Sequence, residues 1–291
     1  MEASTAKRVI INADDLGFSP AVTQGIFRAH REGVVTSTTI MTNMPAAPDA
    51  ATRLPDFPDL GVGVHLNASQ GEPLSEAGRR RLTGLDGRMR FSATGLIMAC
   101  VRRPSLVEAV SAEWEAQLHR ALDWGIEVTH LDSHRHAHGF PPLFTRVLAL
   151  AKRYHIPFVR RHREILPGDG WRGVAKADGW GVSWVLTLLG RVNDVVRAGQ
   201  DPFVTRGTLG VAHTGSISAE WLIRVARRLR RGVTEIMTHP GLAGESADPS
   251  RLTVQRQEEL EALCDDRVRD EFERQRVERV HYGHLRRSGG R

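Results

Sequence analysis

Four of the chain's 13 histidines crowd into one short run, Thr129-His130-Leu131-Asp132-Ser133-His134-Arg135-His136-Ala137-His138. Neutral imidazole is the commonest nitrogen ligand for a divalent transition metal. On an extended segment His134, His136 and His138 would all project to one side of the backbone. Consecutive side chains rarely complete a coordination sphere by themselves, so further ligands must come from distant parts of the chain.

Candidates follow other apolar runs. They are the carboxylate pair Asp14-Asp15, His65 with Asn67, Arg160, and His239 ahead of Pro240. A metal needing two nitrogens and one carboxylate finds them in His134, His65 and one aspartate of the pair, with coordination positions left for water and substrate. The other aspartate is then placed to take a proton from that water. Singly, each residue has a plainer explanation. The aspartates could cap a helix, His65 could be a hydrogen-bonded core imidazole, and His239-Pro240 could end a strand in a turn. The histidine run is harder to explain away, because clustered imidazoles repel once charged.

These residues need a frame that gathers them. Arg8 to Ala13 reads as a buried strand stopping at Asp14. Ser19-Pro20 reads as the cap and first turn of a helix, with Val22, Ile26 and Ala29 as its stripe and Gly33 as its end. Val34 to Met41 and Leu60 to Asn67 read as strands, the second with glycines that imply close packing. Periodicity lapses over 70–105, where an excursion or lid with short helices is expected. It resumes with a helix face of Val110, Trp114, Leu118 and Leu122, the strand Ile126 to Leu131, a helix marked by Leu143, Val147 and Leu150, and the strand Ile156 to Arg160. An apolar helix around Val182 to Val195, an amphipathic helix from Trp221 to Leu229 and the strand Val233 to Thr238 follow. The chain from Arg251 reads as charged and helical, with 284–291 a flexible tail. Alternating βα units with no G-x-G-x-x-G or Walker loop predict an α/β fold of parallel strands ringed by helices, a barrel in preference to a dinucleotide fold, as a single domain over 1–291. In such barrels the active site lies at the C-terminal ends of the strands, where these polar residues fall.

The bulk composition is that of an ordinary globular protein, with 41% hydrophobic and 25% charged residues. Two cysteines without C-x-x-C spacing argue against a disulfide framework or thiolate zinc site. No apolar run is long enough to cross a bilayer and the N-terminal residues lack a signal-type core, so a cytoplasmic location is expected. The net charge of +6 comes from arginine pairs spread along the chain, which reads as a solvated basic surface and not as a nucleic-acid face.

Asn12-Ala13-Asp14-Asp15-Leu16-Gly17, Gly33-Val34-Val35-Thr36-Ser37-Thr38-Thr39, Gly63-Val64-His65-Leu66, the run His130 to His138, and Glu235-Ile236-Met237-Thr238-His239-Pro240 occur in an order that resembles the YdjC-like carbohydrate deacetylases, a group with chito-oligosaccharide deacetylases and hopanoid-associated relatives. The likeness runs from about Arg8 to the segment Arg256 to Leu260. It departs at Leu16, where phenylalanine is frequent, and over Arg161 to Gly210. The resemblance implies a single catalytic domain folded as a distorted (β/α) barrel of the polysaccharide-deacetylase type and one divalent metal, magnesium or zinc, held by Asp15, His65 and His134. It implies Asp14 as catalytic base and His239 as the histidine that protonates the leaving amine or supports the oxyanion. Arg160, which also could orient Asp14, Asn67 and His136 are the substrate-binding candidates, and His138 is expected, like His136, to support the ligands or face substrate without ligating the metal.

The expected activity is therefore hydrolysis of an N-acetyl group on an amino sugar, an oligosaccharide or a glycolipid, with Asp14 deprotonating the attacking water. A metal-dependent hydrolase of another bond, such as a phosphoester, uses the same ligand set, and a noncatalytic basic binding protein is a third reading. Nucleic acid is not an expected partner, and a homodimer stays open.

Overall fold

The computed structural model describes residues 6–164, 177–197, 203–243 and 252–285. Its strands are β1 (Lys7–Leu16), β2 (Ser37–Ile40), β3 (Gly61–Leu66), β4 (Val128–Ser133), β5 (Phe158–Val159), β6 (Thr208–Leu209), β7 (Gly232–Thr238) and β8 (Val277–Arg279). Its helices are α1 (Pro20–Arg31), α2 (Ala47–Arg53), α3 (Glu76–Arg81), α4 (Ala93–Arg102), α5 (Ser105–Asp123), α6 (Pro141–Arg153), α7 (Ala177–Val196), α8 (Ala219–Arg228), α9 (Val254–Leu263) and α10 (Asp266–Arg274).

All pairings between these strands are parallel, in the order β5-β4-β3-β2-β1-β7-β6, with β8 against the start of β1. The sheet curls into a half-barrel ringed by helices, as the alternating sequence predicts. Its edge strands draw together where Thr208 N–H donates to Arg163 O at 3.0 Å. Strands covered on both faces have continuous apolar runs, and β3 and β4 are buried throughout.

Local chemistry explains the main boundaries. Ser19 Oγ accepts from Val22 N at 3.2 Å and Pro20 occupies the first turn, so α1 starts where the sequence predicts. Gly125, at φ 74, lets the chain leave α5 in a left-handed turn. The expected α5 face holds for Val110, Trp114 and Leu118, which are fully buried, but Leu122 is exposed and Ala121 takes its place. Each i+4 step overshoots a full turn by about 40°, so a row of such steps drifts off the core face.

The 70–105 excursion is anchored. The buried Glu113 carboxylate on α5 accepts Leu74 N, Ser75 N and Ser75 Oγ at 2.8–2.9 Å. Two strands escape sequence reading. Thr208-Leu209 is too short for a period, and Val277-Glu278-Arg279 is mostly charged yet joins the sheet through Lys7 to Val9. The chain is ordered through a 3-10 turn at Tyr282–Leu285, so the tail expected from 284 starts within structure, and its remainder, 286–291, lies outside the described residues.

The glycines of β3 are there for close approach. A Cβ on Gly63 would lie 2.5 Å from the His130 ring, which stacks on Tyr282 at 4.0 Å. Gly63→Ala is therefore expected to cost about 1–3 kcal/mol by overpacking, read as a lower denaturation midpoint with an unchanged m-value. An unchanged midpoint would mean that the His130 ring moves freely.

Candidate metal and catalytic centre

At the C-terminal ends of the strands, β1 departs from regular geometry. Between Ala13 and Leu16 its pairing with β2 slips by one residue, and Asp15 adopts φ 75. In a regular strand neighbouring side chains face opposite ways. The bulge and the left-handed residue instead bury both Asp14 and Asp15 at the mouth of the half-barrel, 1% exposed each.

Asp15 Oδ1 lies 3.1 Å from His134 Nδ1 and 3.4 Å from His65 Nε2. His65 is pinned from behind, where Nδ1–H donates to Asp132 Oδ1 at 2.7 Å and Thr39 Oγ1 donates to Asp132 Oδ2 at 3.1 Å. His65 and Asp132 are register partners on β3 and β4, so the pairing follows from the sheet. A histidine with one ring nitrogen bonded to a carboxylate directs its other nitrogen as a fixed ligand. Ligand atoms of Asp15, His65 and His134 all lie within 4.8 Å of one another, and His134 Nε2 is buried with no hydrogen-bond partner among the described residues. This donor set fits a divalent cation.

Asp14 is held differently. Arg160 bonds both of its oxygens at 2.6 Å, Asp132 Oδ2 at 2.7 Å and Glu235 Oε1 at 2.9 Å, with Arg160 itself wholly buried. Burial works against ionisation of Asp14, but the Arg160 guanidinium overrides it and holds the carboxyl well below the usual range. Asp15 is likewise kept ionised against burial by His134 and by Arg256, whose Nη2 meets Asp15 Oδ2 at 2.7 Å. Four buried carboxylates, Asp14, Asp15, Asp132 and Glu235, thus face two guanidiniums, Arg160 and Arg256. Burial opposes a charge on His65 too, yet Asp132, Asp14 and Asp15 push its pKa up to about 9.

The histidine run is not extended. A 3-10 turn with left-handed Arg135 and His136 (φ 53 and 57) sends its imidazoles apart. His134 reaches Asp15, and His136 Nδ1 lies 3.3 Å from His162 Nε2. His138 braces the loop, accepting from Ser133 Oγ and donating through Nε2 to Arg160 O at 3.2 Å. His130 points away into the core. Two of the substrate-binding candidates are heavily engaged with other protein groups. Arg160 is saturated by carboxylates. Asn67, 0% exposed, spends its amide on Asn43 Oδ1, Gln70 O and the backbone N–H groups of Ser69 and Gln70. Both are fully buried, whereas His136 is only half-buried.

His239 follows β7, its backbone N–H fixed by Glu259 Oε2 at 2.7 Å. Burial lowers its imidazole pKa to about 4. Glu259 also accepts Gly215 N at 2.8 Å, and burial raises its carboxyl pKa to about 7. Arg256 and Glu259, both on α9, gave no sequence signal for these roles, since their partners are distant in the chain. Glu235 and Asp132 did, as acids inside otherwise buried strands.

The family described as YdjC-like protein matches residues 8–274. A carbohydrate deacetylase of Oceanobacillus iheyensis is 31% identical over 88% of this chain and 96% of its own. One of Brevibacillus brevis is 42% identical over 150 residues, 52% of this chain, and the match spans 58% of that relative's length. A crystal structure from Enterococcus faecalis V583, described as a cellobiose-phosphate cleavage protein, superposes with a TM-score of 0.74 at 27% identity, over 96% of this chain and 99% of that one. With motifs, half-barrel and near full-length relatives in agreement, the chain belongs to the YdjC-like protein family.

Proposed function

We propose that this protein is a metal-dependent hydrolase that removes an N-acetyl group from an amino sugar or a carbohydrate bearing one, releasing acetate and a free amine. The observation that carries this reading is a two-nitrogen, one-carboxylate donor set beside a second carboxylate, Asp14, that Arg160 keeps ionised. The name carbohydrate deacetylase borne by its relatives supports the same reaction class.

Asp15, His65 and His134 would hold one divalent cation, whose +2 charge answers the two-charge deficit of the carboxylate cluster. Two imidazoles favour zinc over magnesium, which prefers oxygen ligands. When bound, the cation supplies carbonyl polarisation and a lowered water pKa.

The chain's own groups do the rest. Asp14 accepts a proton from the water that attacks the acetyl carbonyl. A carboxyl with so depressed a pKa holds that proton weakly and returns it to the departing nitrogen, a far stronger base. His239 is uncharged near neutrality, which suits donation of an N–H to the oxygen gaining charge better than service as the acid. His136 is the substrate contact retained from the sequence.

Asp14→Asn is expected to lower acetate release from an N-acetylglucosamine oligomer by roughly 10²–10⁴-fold with cation content unchanged. His134→Ala is expected to lower both. Full activity in either variant, or release of phosphate from a phosphoester in place of acetate, would reject the assignment.

Without a cation, a proton on His65 compensates the carboxylates. With a folded pKa near 9 against 6.5 unfolded, that contribution is fully present below pH 6.5 and is lost as pH rises through 9. Its size is on the order of 3 kcal/mol. Chelator-treated protein is expected to lose denaturation stability across this window and zinc-loaded protein to keep it. A chelator series flat with pH would exclude His65 as the compensating group.

A further inference from the structure

One face of α7 is fixed to the loop that carries His134 and His136. Asn193 Nδ2 donates to Gly139 O at 3.0 Å, and a Cβ on Gly139 would meet Leu186 at 2.8 Å. Among the described residues, the other face is exposed. Trp184, Val185, Leu188, Val192 and Val195 are 69%, 59%, 61%, 41% and 81% exposed. At about 100° per residue they fall in one stripe about 100° wide. Six of the eleven exposed large apolar side chains among the described residues belong to α7, so the concentration is specific to this helix.

Beside the stripe is a cavity of about 710 Å³, lined by Trp184 and Leu188 together with Arg161, Arg163, Arg191 and Arg206. Its acidic lining residue, Glu164, is turned inward, accepting from the Ser183 hydroxyl, Gly210 N and Ala212 N. Arg161 is paired with Asp194 at 2.7 Å, which still leaves the surface strongly positive.

We infer that this face of α7 docks on an anionic lipid bilayer. An apolar stripe with tryptophan and flanking arginines matches the boundary between acyl chains and phosphates, where guanidiniums reach the headgroups. No helix of the described chain is long and apolar enough to cross a membrane, so α7 lies on the bilayer. Protein interfaces also use tryptophan and arginine, so a second copy of the chain is the competing occupant that the sedimentation arm below tests. The inference concerns location and is independent of the reaction proposed above.

The test is flotation of the full chain with phosphatidylcholine vesicles, with and without about 30% phosphatidylglycerol, at about 0.1 M salt. The protein is expected to float with the anionic vesicles, about tenfold less with neutral ones, and to be released at about 0.5 M salt. Trp184→Glu with Leu188→Glu, and separately Arg163→Glu with Arg191→Glu, are each expected to lower the bound fraction about tenfold at an unchanged melting temperature. If one pair shifts the melting temperature, the other decides. No flotation with anionic vesicles, or variants that float like the parent, would overturn the inference. So would sedimentation showing that the stripe variants dissociate a dimer, which would assign the face to a second copy.

Discussion

Everything at the mouth of the half-barrel depends on one buried guanidinium. Arg160 has no solvent exposure, yet it meets Asp14 on β1, Asp132 on β4 and Glu235 on β7, while its carbonyl receives His138. A buried charge is tolerable only when paired and hydrogen-bonded, and loss of one partner strands the other. Arg160 therefore fixes the separation of three strands and the ionisation of Asp14 at once. Tyr282 extends the network by donating to Glu235 at 2.9 Å, which ties the C-terminal 3-10 turn to the site.

Around this pivot the protein accepts local strain. Asp15 sits in a left-handed conformation that non-glycine residues rarely adopt, and a bulge interrupts β1 beside it. The return is two adjacent carboxylates with different partners. Asp14 turns to Arg160, whereas Asp15 turns to His65, His134 and Arg256. Differing partners give neighbouring acids distinct chemistry, as in other sites where environment separates paired carboxylates.

Much of this was legible in the residues. The strand-to-helix alternation, the Ser19-Pro20 helix start and the glycines of β3 each rest on local rules that operate over a few positions, and the half-barrel follows from them. The site was legible only as a set of polar residues after apolar runs. Asp14, Asp15, His65, His134 and His239 all follow or end strands, and the structure brings them to one mouth. Alternation misled where the backbone stopped being extended. His134, His136 and His138 share a side only on a strand, and left-handed Arg135 and His136 separate them.

The sequence alone determined the order of the longer strands and helices, the parallel character of the sheet and which residue types could ligate or transfer protons, because propensity, periodicity and side-chain chemistry are local properties. Only the tertiary structure decided their division of labour. Arg160 and Asn67 are polar and follow strands just as His65 and Asp14 do, yet packing engages them with carboxylates, an amide and backbone groups. Arg256 and Glu259, invisible as site residues in a charged C-terminal helix, become neighbours of Asp15 and His239 through contacts spanning most of the chain in one case and a loop in the other. Burial and pairing set each group's charge, and both exist only once distant segments have met.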